Sequence, residues 1–296
     1  MSQQAEHGSS KNSSSDEAIS LESHVADLIS KLPSREGLSE RMVLYKNYWL
    51  RPYFVESVLC LQNSFKPRHD DIILASNPKC GTRLRSHQPL PEVVPFIEIP
   101  RNTYFTYLEN LPSPRLLATH LPLSLFPKST TCGCRVVYIC RDPKDAFVSR
   151  CVDLETAFNM FSKGFSGYGS FWDHCLEYWR ESIAMPDRAL KYEEMLSDPV
   201  KHVIKIAAFI GVPFSTKEEE DGVPDEMVRL CSFEKLSSLY VNKTGEFFRH
   251  GNMVIENSAY FRKAKVGDWQ NHINEEMGRK LDCIVKEKLK GSGLTL

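Results

Sequence analysis

The sequence lacks long apolar runs, any marked excess of one charge, and metal-ligand patterns, and each absence removes a class of protein. No stretch approaches the roughly 20 apolar residues that a membrane-spanning helix needs. With 37 basic and 38 acidic residues, no global field draws the chain to nucleic acid or to an anionic membrane, so any anion site must be local. No HExxH pair, carboxylate-rich calcium loop or paired CxxC points to a metal. Cys132-Gly133-Cys134 is a lone C-x-C and reads as a loop with two thiols. No G-x-S-x-G elbow suggests a serine hydrolase. The "GFSGYGS" stretch has no third glycine at dinucleotide spacing and no strand leading into it.

The N-terminus, "MSQQAEHGSSKNSSSDEAIS", has neither the apolar centre of a secretory signal nor the Arg-rich, acid-poor bias of a transit peptide. Residues 1–20 read as a disordered, Ser-rich tail and residues 21–296 as the folded domain. Nine cysteines without a signal peptide predict reduced thiols and a cytoplasmic protein. In that setting the Asn242-Lys243-Thr244 triplet has no meaning as a glycosylation acceptor.

What is present is an ordinary globular composition, 42% hydrophobic and 25% charged over 296 residues, enough to bury a substantial core. "DIILAS", "RLLATHL", "RVVYICR" and "RALKYEE" are short, almost wholly apolar strand candidates. "SHVADLISKLP", "YGSFWDHCLEYWRESI" and "SDPVKHVIKIAAFIG" repeat apolar residues at helical spacing. The last carries a Ser197/Asp198 cap, Pro199 in its first turn and Gly211 at its end. "VPDEMVRLCSFEKLSSL" and "NEEMGRKLDCIVKEKL" predict two further helices. "LYKNYWLRPYFVESVLCLQNSF", aromatic-rich and broken by Pro52, is expected to pack on the core and line a pocket entrance. Apolar strands alternating with helices predict one α/β domain with a central parallel sheet flanked by helices.

Four stretches carry candidate chemistry. Asn77-Pro78-Lys79-Cys80-Gly81-Thr82 leaves a buried strand, where successive amides can turn onto one anion. Gly81 permits close backbone approach, Thr82 offers a hydroxyl and Lys79 a mobile charge. The spacing is not that of Walker A, and magnesium ligands are missing, so a P-loop kinase is a poor reading. In "RVVYICRDPKDAFVSR" a strand ends at Arg141, suited to bidentate capture of a phosphate. Pro143 starts a helix there, and Ser149 lies about two turns along it; a solvated, salt-bridged loop reads these residues equally well. His120 in "LLATHLPLSLFP" ends an apolar strand and, with an unperturbed pKa of about 6.5, can accept a proton at neutral pH. Arg262-Lys263 in "YFRKAKVGDW" is a basic cluster between aromatics. A lone turn histidine and a solvated basic loop are the plain readings of the last two.

Taken in order, "ASNPKCGT", "ATHLP", "VVYICRDPKDAFVS", "LKYEEM", "CSFEKLSSLYVNK" and "YFRKAKVGDW" resemble the cytosolic sulfotransferase family, its plant branch in particular. The similarity runs from about "LYKNYW" to the C-terminus. The resemblance implies a P-loop-like sulfotransferase fold. It implies transfer of a sulfuryl group from 3'-phosphoadenylyl sulfate (PAPS) to a hydroxyl of a small acceptor, without metal, nucleic acid or membrane. It assigns Lys79 to the leaving phosphate, and Cys80, Gly81 and Thr82 to the 5'-phosphosulfate. It makes His120 the general base, gives Arg141, Ser149, Arg262 and Lys263 the 3'-phosphate, and sets Tyr192 beside the adenosine.

The sequence also departs from the family's pattern. After Gly81-Thr82, Arg83 and Leu84 stand where the family has a second Thr and a Trp that stacks on adenine. The helix that should follow is cut short at His87-Gln88-Pro89-Leu90-Pro91. Loss of the helix dipole removes about 0.3–1 kcal/mol, up to ~2 when partly buried, and loss of stacking a further ~1–3 kcal/mol. Together these weaken donor binding roughly a hundredfold. A second shortening follows "DPKDAFVS". Ala264 replaces a glycine after Arg262-Lys263, a change that costs on the order of 1 kcal/mol if φ there is positive. Two readings therefore stand open: a working enzyme, or an impaired homologue that keeps the fold and at most weak nucleotide binding.

Overall fold

The computed structural model describes the chain except for residues 1–23, 38–39, 81–93, 99–101, 150–153, 184–188, 250–252 and 262. The proposed tail, Gly81, Thr82, Arg83, Leu84 and Arg262 therefore lie outside the described residues. Helix α1 (residues 24–31) precedes an antiparallel meander of β1 (Ser34–Glu36), β2 (Arg41–Tyr45) and β3 (Tyr48–Leu50). Pro52 opens α2 (Pro52–Ser64) rather than breaking a helix, because proline's missing N–H is no loss in a first turn.

The central sheet is formed by the four strand candidates: β4 (Ile72–Ser76), β5 (Leu116–Thr119), β6 (Arg135–Cys140) and β7 (Ala189–Lys191). All pair in parallel, in the order β5-β4-β6-β7. Helices α3 (Asn102–Glu109) and α4 (Lys128–Gly133) lie in the β4–β5 and β5–β6 connections, and α5 (Pro143–Val148), α6 (Leu154–Ser162) and α7 (Phe171–Ser182) in the β6–β7 connection. Both faces are buried, which accounts for strands that are apolar at nearly every position. Ile73, Ala75, Val136, Tyr138 and Cys140 face the side covered by α2, α5, α6 and α7. Leu74, Val137 and Ile139 face the other side, where Ile206, Phe209 and Ile210 of α9 (Pro199–Ile210) pack.

Beyond β7 the chain runs through α8 (Tyr192–Ser197), α9, α10 (Thr216–Glu220), α11 (Val223–Leu230), α12 (Phe233–Ser238) and α13 (Tyr240–Thr244). A hairpin of β8 (Glu246–Arg249) and β9 (Met253–Glu256) and then α14 (Glu275–Lys288) complete it. The α9 signals hold: Asp198 accepts from the Lys201 amide at 3.2 Å, and Gly211 ends the helix at φ 87°. One expectation is corrected. "VPDEMVRLCSFEKLSSL" is two helices, not one, because the Ser232 hydroxyl accepts from the Lys235 amide at 3.2 Å and starts a new helix. A serine that can cap will compete with helix continuation.

Candidate active site

The strand order creates a crevice. The connection leaving β4 leads to β5 on one side, whereas the connection leaving β6 leads to β7 on the other. Between adjacent strands whose connections diverge, the carboxyl ends leave a gap where open α/β sheets bind ligands. Each of the four strands delivers one sequence-predicted residue to this rim. His120 directly follows β5, Asn77-Pro78-Lys79 follow β4, Arg141 follows β6, and Tyr192 follows β7.

The β4 loop opens as a tight turn. Pro78 and Lys79 occupy its centre, Lys79 has φ 74°, and the Cys80 amide donates to the Asn77 carbonyl at 3.2 Å. Proline followed by a positive φ is the pattern of a type II turn. A non-glycine residue there costs on the order of 1 kcal/mol, strain of a kind that collects at functional loops. The Cys80 thiol is fully buried in the core beneath.

Arg141 is buried yet poorly satisfied. Its Nη1 donates to the Lys79 carbonyl at 3.4 Å and its Nη2 to the Lys265 carbonyl at 3.3 Å, both long for a charged donor. Asp145 lies 3.6 Å away, but its carboxylate already accepts the Gly267 amide at 2.8 Å and the Trp269 amide at 3.0 Å. The guanidinium stands 4.6 Å from the centroid of the Tyr192 ring, whose hydroxyl burial makes less acidic. Among the described residues, buried Arg141 Nε has no hydrogen-bond partner. A guanidinium has five donors, and leaving one dry costs about 1–3 kcal/mol. An anion entering this crevice would supply what Arg141 lacks, so the residues present fit a phosphate-bearing donor.

The loop around Arg141 also resolves the salt-bridge question raised by the sequence. Lys144 pairs with Asp282 of α14 at 2.5 Å, and Asp142 caps α5 by accepting from the Lys144 amide at 2.7 Å. Burial, the largest influence, raises the Asp142 pKa, and the Glu193 carboxylate accepts its amide at 2.9 Å. Asp142 and Lys144 are structural; Arg141 is the member that faces the crevice. Ser149 ends α5 with its hydroxyl donating to the Asp145 carbonyl at 2.8 Å. Lys263 pairs with Asp268 at 3.2 Å, so its ammonium already has an acidic partner outside the Arg141 cluster. Ala264 has φ 49°, so the condition attached to its replacing a glycine is met.

His120 is buried on the opposite side of the β4 loop. Its Nδ1 lies 2.8 Å from the Ser76 carbonyl. A carbonyl only accepts, so Nδ1 carries the proton and Nε2 keeps its lone pair. The His120 amide donates to Glu98 Oε1 at 2.8 Å. Phe96 and Tyr168 stand against the imidazole with ring centroids at 4.8 and 5.4 Å, and Phe54 packs on Tyr168 at 4.4 Å. The imidazole thus sits between the Phe96 and Tyr168 rings.

Sequence reasoning did not single out Asp145, Glu98 or His174. Asp145 alone had a local signal, an acidic residue in the first turn of α5. Burial pushes the Cys140 thiol up to about 12, so it offers no thiolate at neutral pH. Among the described residues, no group of three or more His, Cys, Asp or Glu side chains could hold a metal ion. None of the helices there is long and apolar enough to cross a membrane.

Residues 69–293 match the sulfotransferase domain family. Cytosolic sulfotransferase 5 of Arabidopsis thaliana is 38% identical over 320 aligned positions, covering 93% of this chain and 97% of the relative. Flavonol 4'-sulfotransferase of Flaveria chlorifolia is 38% identical, with 92% and 97% covered. A mouse sulfotransferase solved in complex with PAP has TM-score 0.67 at 27% identity, covering 85% of this chain and 96% of its own. The 320 aligned positions exceed the 296 residues present, so the Arabidopsis relative carries segments without a counterpart here, in line with the shortened loops read from the sequence. The chain belongs to the sulfotransferase family.

Proposed function

We propose that the protein is a PAPS-dependent sulfotransferase acting on a hydroxyl of a small, aromatic-sided acceptor in the cytosol. Buried Arg141, whose Nε meets no partner among the described residues and which stands beside a strained amide turn, carries this reading. It is supported by the PAP complex of the mouse sulfotransferase and by the relatives' names, which describe cytosolic and flavonol sulfotransferases. PAP, adenosine 3',5'-bisphosphate, is what remains of the donor after transfer.

In the proposed reaction the acceptor oxygen attacks sulfur, forming one S–O bond as the S–O bond to the phosphate oxygen breaks. His120 Nε2 takes the hydroxyl proton. With the proton held on Nδ1 by the Ser76 carbonyl, Nε2 is the ring nitrogen that can accept one. Lys79, and the Cys80, Gly81 and Thr82 amides, would neutralise charge that builds on the departing phosphate oxygen, the preorganised stabilisation that oxygen-to-oxygen transfer mainly needs. Arg141, Ser149, Arg262, Lys263 and Ala264 would hold the 3'-phosphate, and Tyr192 would lie beside the adenosine. Arg83 and Leu84 would flank the phosphosulfate in place of the family's threonine and tryptophan. Phe96, Tyr168 and Phe54 around His120 favour an acceptor that presents a flat apolar face.

The impaired-homologue reading has less support, because relatives named as sulfotransferases match over nearly the full length and the residues assigned to the base and the anion stand at the carboxyl ends of β5, β4, β6 and β7. The deciding experiment measures sulfate transfer from PAPS to 4-nitrophenol together with PAP binding. His120→Ala is expected to abolish transfer and leave PAP binding intact. Unchanged turnover would remove His120 from the mechanism, and a wild-type protein that binds PAP without sulfating any phenol would favour the impaired homologue.

A further inference from the structure

Helix α7 carries two polar side chains that the proposed reaction does not use. His174 and Tyr178 lie one helical turn apart on the same face, both buried, and both reach the turn that follows β5. His174 Nε2 is 3.0 Å from the His120 carbonyl. The Tyr178 hydroxyl donates to the next carbonyl, that of Leu121, at 2.9 Å. We propose that His174 is a positioning residue for His120, holding its peptide group so that the imidazole presents Nε2 to the acceptor.

The protonation pattern is set by what each atom meets. The His120 carbonyl can only accept, so the His174 proton sits on Nε2. His174 Nδ1 lies 3.0 Å from the Tyr138 hydroxyl. Tyr138 is buried, and desolvation holds its pKa well above the ordinary phenol value, so it stays protonated; its hydroxyl also lies 3.3 Å from Cys175 Sγ, a weak acceptor, and donates in preference to the imidazole Nδ1. The Tyr138 and Tyr178 rings are stacked at 4.4 Å and 4°, which fixes both hydroxyls relative to the sheet. A chain of donors therefore runs from Tyr138 through His174 to the His120 carbonyl.

The result is an over-determined histidine. Its amide is held by Glu98, its carbonyl by His174, the following carbonyl by Tyr178, and its ring by Ser76. Rotation of either flanking peptide would swing the imidazole about Cα, and a misplacement of about 1 Å can cost roughly a hundredfold in rate. A histidine serving only to satisfy a buried donor would not need a carbonyl beside the proton acceptor as its partner. The proposal rests on the assignment of His120 as general base.

The test compares His174→Leu, which removes the donor, with His174→Gln, whose amide nitrogen can reach the position of Nε2. PAPS and 4-nitrophenol serve as substrates, PAP as the binding probe, and the 15N imidazole spectrum of His120 as a readout that needs no turnover. His174→Leu is expected to lower kcat about 10–100-fold with the KM for PAPS and the Kd for PAP within about twofold. The His120 signal should leave its single Nδ1–H tautomer, and His174→Gln should recover most of both losses. Wild-type kcat in His174→Leu, or parallel loss of kcat and PAP affinity in both variants, would overturn the proposal. An unaltered His120 spectrum in His174→Leu would do the same. If wild type sulfates no phenol, the spectrum alone decides the positioning, and only the assigned reaction fails.

Discussion

Ala264 offers a way to measure strain at the edge of the crevice. Its φ of 49° is left-handed, a region that L-residues occupy at a cost of about 1–2 kcal/mol because Cβ crowds the following carbonyl. Glycine removes that crowding but loses about 0.5–1 kcal/mol more chain entropy on folding. Ala264→Gly should therefore stabilise the protein by about 0.5–1 kcal/mol. For a chain of this size that is a rise of about 1–4 °C in Tm. The strained residue precedes Lys265, whose carbonyl holds Arg141 at 3.3 Å, so the strain lies in the segment that closes the site. Thermal unfolding followed by circular dichroism is the assay. Ala207→Gly, at a buried position inside α9, serves as a control of opposite sign, expected to cost about 1 kcal/mol. A lower Tm for Ala264→Gly would refute the reasoning, as would a control that moved in the same direction.

Two further outcomes follow from burial. Asp145→Ala removes the acceptor of the Gly267 and Trp269 amides and the carboxylate facing Arg141. It should cost about 3–5 kcal/mol, as expected when one member of a buried pair is deleted, read as a fall in the urea midpoint; a change below about 1 kcal/mol would contradict the pairing. Alkylation with iodoacetamide at pH 8 should label the exposed thiols of Cys231 and Cys283 and spare the buried thiols of Cys80, Cys140 and Cys175. The approximate value of 12 for Cys140 adds to its protection. Mass spectrometry of the native protein checks this, and early modification of Cys80 would show that the core beneath the β4 loop opens.

The residues legible in the sequence are those tied to strand ends. Lys79, His120 and Arg141 each stand just past a short apolar run, so recognising the strand locates the residue, whereas Tyr192 was named by the family resemblance alone. The parallel sheet was legible for the same reason, since strands buried on both faces cannot hide among alternating patterns. The single helix expected over "VPDEMVRLCSFEKLSSL" failed because propensity says little about whether a mid-run serine turns its hydroxyl back to cap. Glu98 and His174 were not legible, and Asp145 showed only as an acidic residue in a first turn, because their partners lie far along the chain. His174 binds a carbonyl 54 residues away, and Asp145 binds amides 122 and 124 residues away. Such pairings follow from strand order, which no local window contains. The conditional reading of Ala264 did carry through, because a glycine replaced in an otherwise similar motif points to one backbone angle.

Calorimetric titration with PAP of the wild-type protein, Arg141→Met and Lys79→Ala tests the central claim most directly, that a buried, under-satisfied guanidinium and its neighbouring turn still bind an anionic nucleotide. The expected result is micromolar binding by wild type, weakened about 10–150-fold in Arg141→Met, the loss of a charge-assisted hydrogen bond of about 1.5–3 kcal/mol, and lost in Lys79→Ala. Equal affinity in wild type and Arg141→Met, or no heat from wild type at millimolar PAP, would contradict it.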